Sequence, residues 1–71
     1  MDVRARLAIN MKRLREAKGF SQERLGFECG RDRTYISGIE RRVRNPTVTV
    51  VDEIARALGV TASQLLDEPT T

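Results

Sequence analysis

Apolar residues recur every three or four positions along this chain, a period that belongs to helices packed by one face. Val3, Leu7, Met11 and Leu14 form a stripe that predicts a first helix from Asp2 to Lys18, stopped at Gly19, with Ala5 and Ile9 on its far side. Ser21 is an N-cap for a second helix, Gln22–Cys29, in which Leu25 and Cys29 face inward and which ends at Gly30. Gly26 inside that helix costs about 1 kcal/mol against Ala, which a close helix–helix approach would explain. A third helix runs from Asp32 to Arg41, and a basic loop, Arg42–Pro46, follows it. Thr47 then caps a fourth helix with Val48, Val51, Ile54, Ala55 and Leu58 on one face and Gly59 as its stop. The β-branched run Val48–Thr49–Val50 would also suit a strand, but the cap and the apolar period favour helix. Thr61–Gln64 is a capping box for a short fifth helix that carries Leu65 and Leu66. The expected architecture is all-α, one five-helix domain over residues 1–71, with 67–71 as a frayed tail.

The third helix and its loop carry the most chemistry. Asp32 can cap the helix start, and Ile36 and Ile39 fall on one face. At about 100° per residue, Arg33, Thr34, Ser37, Gly38 and Arg41 fall on the opposite arc. A short helix with core residues on one side and donors on the other is shaped to lie against an anionic partner. The charge distribution agrees. Residues 1–45 carry twelve Lys/Arg and six acids, a net +6, whereas residues 46–71 carry one base and four acids, a net −3. That asymmetry is a footprint for a polyanion, although a solvated basic surface would look the same from charge alone.

Composition removes other classes. With one Cys and no His, the chain has no internal disulfide, no zinc ligand set and no catalytic triad, so neither a metal, a cofactor nor an enzymatic role is expected. No small-molecule site is evident. Neither a membrane-spanning run nor a signal peptide is legible, and a cytoplasmic setting is expected.

The second and third helices, joined at Gly30 with the small Gly26 between them, have the layout of a helix-turn-helix. Four segments, Lys18-Gly-Phe-Ser-Gln22, Arg33-Thr-Tyr-Ile-Ser-Gly-Ile-Glu40, Asn45-Pro-Thr47 and Ile54-Ala-x-Ala-Leu-Gly-Val60, resemble the Cro/C1-type (XRE) family of phage-repressor-like DNA-binding domains. The resemblance covers Met11 to Leu66. The run from Asp32 to Arg41 is also similar to the controller proteins of restriction–modification systems. The resemblance implies a transcriptional regulator that binds a palindromic operator in double-stranded DNA as a homodimer. It would repress by blocking RNA polymerase or activate by touching it.

On that reading the third helix enters the major groove. Arg33 suits a guanine edge, Thr34 a base hydroxyl or thymine-methyl contact, and Ser37 a contact near the groove floor. Gly38 would let the backbone approach the DNA. Tyr35 either touches the DNA at the flank or only packs. Gln22, at the start of the second helix, and Arg41, Arg42, Arg44 and Asn45 are the candidate phosphate contacts. Family position implies a structural ion pair between Arg15 and Glu40. A dimer would use the acidic half, with Val60, Leu65 and Leu66 as candidates, Leu65 also suiting the monomer core and exposed Ile9 of the first helix being an alternative. Four residues depart from the family pattern. Arg31 implies a looser turn or an added DNA contact, Arg42 replaces a helix-ending Gly, Phe27 is exposed or covers the turn, and Cys29 reads as a small buried hydrophobe. The alternative function is an antitoxin or other protein-interaction module on the same fold.

Overall fold

Every helix among the described residues starts on a short polar side chain. Asp2, Ser21, Asp32, Thr47 and Thr61 accept hydrogen bonds from the backbone N–H groups of Arg4, Arg24, Tyr35, Val50 and Gln64, satisfying donors that a helix start leaves free. In the computed structural model, which describes residues 1–69, these caps open α1 (Val3–Ala17), α2 (Gln22–Cys29), α3 (Arg33–Glu40), α4 (Val48–Leu58) and α5 (Ala62–Leu66). The described residues include no strand, and Val48–Val50 are helical.

One apolar cluster joins all five helices. It contains Leu7 and Met11 of α1, Leu25 of α2, Ile36 and Ile39 of α3, Val51, Ile54 and Leu58 of α4, and Leu65 of α5. Burying an aliphatic side chain of this size contributes about 1.5–3 kcal/mol, so α3 is docked chiefly by its two isoleucines. Three expectations about faces are corrected. Ala5 is buried and Val3 is 46% exposed, the reverse of the predicted stripe. Val50 is buried while Val48 is 81% exposed. Cys29 is half-buried rather than buried. Val3 and Val48 both belong to the first turn of their helices. Between them lies a hollow lined by Val3, Leu7, Pro46, Val48, Val51 and Leu66.

Gly26 is required by a close approach, though not to a helix side. A Cβ there would stand 2.5 Å from the Arg31 carbonyl oxygen and 3.2 Å from the Asp32 backbone, so the turn itself folds over this glycine. At the other end of the chain, α1 caps α5. The Asn10 Nδ2 group donates to the carbonyls of Leu65 and Asp67 at 2.9 and 2.8 Å, and Arg6 Nε donates to Leu66 at 2.7 Å. The expected frayed tail thus begins with a tethered residue, and Arg6 reaches Glu68 at 3.6 Å; residues 70 and 71 lie outside the described residues.

Helix α3 ends in a Schellman arrangement. Arg42 N donates to Ile39 O at 3.0 Å and Val43 N to Gly38 O at 2.9 Å. This geometry needs a left-handed residue after the cap, and Arg42 takes it at φ 65° where glycine would be unstrained. The loop path therefore follows the usual glycine route despite the arginine. Replacing Arg42 with Gly is expected to raise stability by about 0.5–1 kcal/mol, the relief of left-handed strain less the entropy glycine adds to the unfolded chain. Urea unfolding of the variant beside the parent chain measures it.

Candidate nucleic-acid interface

The face of α3 opposite Ile36 and Ile39 carries the donors. Arg33 and Thr34 are exposed in its first turn, and Ser37 is half-exposed one turn on. Arg41 Nε donates to Ser37 Oγ at 3.3 Å, so these two candidates form one unit on the helix surface. Arg41, Arg42, Arg44 and Asn45 are all exposed in the segment that follows. Arg33, Arg41, Arg42 and Arg44 form no ion pair with an acid among the described residues. Four uncompensated guanidiniums therefore surround one short helix, and their fields add at its outer face.

Gly38 has a different job from the expected one. It is buried, and a Cβ there would meet the Arg44 side chain at 3.0 Å. The glycine makes room for the chain's own arginine instead of leaving the helix bare for a partner. Arg44 lies along α3 with its guanidinium 5.1 Å from the centre of the Tyr35 ring, within cation–π range. Tyr35 is half-buried and packs against the core edge. Arg31 stands 5.8 Å from the same ring and pairs with Glu53 of α4 at 2.9 Å. Sequence reasoning left Arg31 open between a looser turn and a DNA contact; its guanidinium is turned to Glu53.

Arg15 and Glu40 lie at the junction of α1, α2 and α3. Arg15 Nε and Nη2 donate to the two Glu40 oxygens at 2.8 and 3.1 Å, and Arg15 Nη1 donates to the Phe20 carbonyl at 2.8 Å. The side chains are only 10% and 6% exposed. Gln22 Nε2 adds a third donor to Glu40 Oε1 at 3.0 Å, a partner that sequence reasoning missed. The bond to Glu40 raises the Arg15 pKa above its ordinary value, so this pair stays charged on the arginine side across any working pH. Beside the junction, the Phe20 ring lies 4.8 Å from the Arg24 guanidinium and 5.6 Å from the Lys18 ammonium. Lys18 caps the end of α1, Phe20 lies in the loop and Arg24 lies in α2, so no single period along the chain signals that cluster.

Phe27 is 79% exposed, so it does not cover the turn. Burial pushes the Cys29 thiol pKa up, which leaves it un-ionised at neutral pH and weakly reactive. Leu65 is fully buried between α1 and α4 and leaves the set of candidate interface residues, whereas Val60 and Leu66 are half-buried. No helix among the described residues is long and apolar enough to cross a membrane. Arg15→Met strands a buried carboxylate and is expected to cost about 3–5 kcal/mol. Adding Glu40→Leu is expected to recover much of that loss, which calorimetry of the single and double variants measures.

Comparison with known proteins places this geometry. The helix-turn-helix family profile matches residues 11–65. A hypothetical transcription factor of Neisseria meningitidis serogroup B is 50% identical over 68 residues, covering 96% of this chain and 64% of that protein. Control protein C.BamHI of Bacillus amyloliquefaciens is 41% identical over 70 residues, covering 97% of this chain and 86% of that one. The crystal structure of the restriction-modification controller protein C.AhdI of Aeromonas hydrophila has a TM-score of 0.83 at 37% identity, over 87% of this chain and 90% of that one. With five helices in this order and its profile match spanning most of the sequence, the chain belongs to the helix-turn-helix family of DNA-binding transcriptional regulators, which are not enzymes.

Proposed function

We propose that this chain is a sequence-specific regulator of the restriction–modification controller kind, which binds a palindromic operator as a homodimer in the cytoplasm. The observation that carries the reading is the row of exposed donors on α3, Arg33 and Thr34 with Ser37 behind them, continued by the unpaired arginines of the following loop. Such a helix fits the major groove of B-DNA with its N-terminal residues toward the base edges. Arg33 offers a fork that matches guanine O6 and N7, Thr34 a hydroxyl and a methyl, and Ser37 a short hydroxyl shared with Arg41. Arg41, Arg42, Arg44 and Asn45 would hold the phosphates beyond the groove. Gln22 keeps one amide hydrogen for a phosphate oxygen while the other is held by Glu40. Tyr35, with Arg44 stacked on it, would meet the DNA at the flank. Repression would follow from blocking RNA polymerase and activation from touching it, according to where the operator lies.

One small domain reads too few base pairs for a unique address, and a two-fold dimer doubles the site. The interface we assign is the apolar rim around the hollow between α1 and α4, namely Val3, Pro46, Val48 and Leu66. Val48 at 81% exposure is its most exposed member. This set replaces Leu65 and relies less on Val60 than the sequence pattern suggested.

Site selection, duplex binding and sedimentation test the reading. Duplexes selected by the protein from random DNA are expected to show symmetric half-sites, and Arg33→Ala is expected to weaken that site by about 1–3 kcal/mol while relaxing one base position. Equal weakening on selected and scrambled duplexes would remove Arg33 as a base reader. Arg44→Ala is expected to weaken both duplexes and reduce the salt slope by about 0.9. For the dimer, Val48→Lys is expected to sediment as a monomer at concentrations where the parent chain is a dimer, because it buries a charge at the interface without touching the core. An unchanged dimer would put the interface elsewhere.

A further inference from the structure

We propose that Arg31, in the turn between α2 and α3, is a positioning residue that sets how Tyr35 meets DNA and contacts no DNA itself. The proposal deepens the reading of Tyr35 as a flank contact and rests on it.

Four observations carry it. First, the Arg31 guanidinium is committed to the protein: Nη2 donates to Glu53 Oε1 at 2.9 Å, so its charge is already matched. Second, the same guanidinium stands 5.8 Å from the Tyr35 ring centre, and Arg44 stands 5.1 Å from that ring. Third, Arg44 is itself seated against the bare backbone of Gly38, whose missing Cβ leaves the space. These contacts form a continuous line from Glu53 on α4, through the turn, to the aromatic ring on α3 and the loop beyond. Fourth, Arg31 Nε is buried without a hydrogen-bond partner. An unmade bond at a buried donor opposes folding, and a half-exposed ion pair adds little to offset it. The arrangement is therefore a poor stabiliser. What it does well is hold one face of Tyr35 at a set distance from α4.

The physical consequence is preorganisation. Tyr35 directly follows Thr34 on α3, at the flank of the reading residues, and an unrestrained ring would have to be ordered when DNA binds. With Arg31 and Arg44 over it, the ring and the Arg44 side chain are ordered beforehand. Because Glu53 neutralises Arg31, the turn contributes this ordering without adding net charge at the DNA face.

The chain has one tyrosine and no tryptophan, so its intrinsic emission reports Tyr35 alone. The test is the charge-balanced pair Arg31→Met with Glu53→Gln, whose net charge equals the parent's. It is expected to change the Tyr35 emission of the free protein and leave the thermal midpoint equal or higher. Binding to the duplex selected by the parent chain is expected to weaken about threefold to tenfold, the size of coupling between contacting groups. Binding to a scrambled duplex and the salt slope are expected to stay the same. Combining the pair with Tyr35→Leu is expected to weaken binding no further than Tyr35→Leu alone. Additive losses would overturn the proposal. Equal weakening on both duplexes, with Arg31→Met alone lowering the salt slope by about 0.9, would overturn it in favour of a phosphate contact. If Tyr35→Leu leaves binding intact while Arg33→Ala weakens it, Tyr35 is no flank contact and the role of Arg31 falls with it, but the reading helix stands. Should the double variant fold poorly, Glu53→Gln alone, at a half-exposed site, is expected to change the Tyr35 emission and to narrow the ratio of binding to selected over scrambled duplexes; an unchanged emission and ratio would overturn the proposal.

Discussion

Helix α3 has eight residues, and an isolated helix of that length is not stable in water. The donor face of this protein exists only because other elements hold α3 in place. Ile36 and Ile39 fix it to the core from one side. Asp32 fixes its start by accepting from Tyr35 N at 2.8 Å, and Glu40 fixes its end through Arg15 and Gln22. Gly26 lets the preceding turn lie close enough for those anchors to engage. Since the helical period is near 3.6 residues, burying positions 36 and 39 turns positions 33, 34 and 37 outward. The donors face away from the core because the isoleucines face into it.

Most arginines of the chain fall into two sets by what balances them. Arg15 is buried against Glu40, and Arg4, Arg24, Arg31 and Arg56 each have a carboxylate at 3.3 Å or closer. Those charges are used within the protein. Arg33, Arg41, Arg42 and Arg44, like Arg13 on α1, lack an acid partner among the described residues, and the first four flank α3 at its start and beyond its end. A net charge of +3 spread evenly would attract a polyanion weakly. Concentrating unpaired cations beside the helix that fits a groove makes a local potential that the overall charge understates. The strain at Arg42 belongs to the same account: the loop keeps a cation at a left-handed position that glycine would fill without cost.

The elements were legible because caps and periods are local. Ser21, Thr47 and the Thr61–Gln64 box mark their helix starts within a few residues of sequence, and each acts as expected. The alternation of Ile36 and Ile39 with donors was equally local. Faces at helix ends were less legible. Val3 and Val48 have the spacing of their stripes but are exposed, while Ala5 and Val50 are buried. At about 100° per residue, Val3 and Val48 stand roughly a quarter turn from the centre of the buried residues of their helices, and which edge of an apolar arc is covered depends on where the neighbouring helices pack.

The amino-acid sequence alone determined five capped helices, a helix-turn-helix between the second and third, and a third helix with core and donor faces, because these follow from contacts among residues close in the chain. Tertiary structure alone decided that Arg31 is paired: Glu53 is 22 residues away, at a spacing that carries no periodic signal, whereas Arg15 and Glu40, 25 residues apart, were legible only through the family resemblance. It also decided that Gly38 receives Arg44, that Asn10 holds the carbonyls beyond α5, and that Leu65 is sealed while Val48 is bare. Pairing and exposure depend on which surfaces five short helices bring together when they pack, and that is settled by the shape of the whole core.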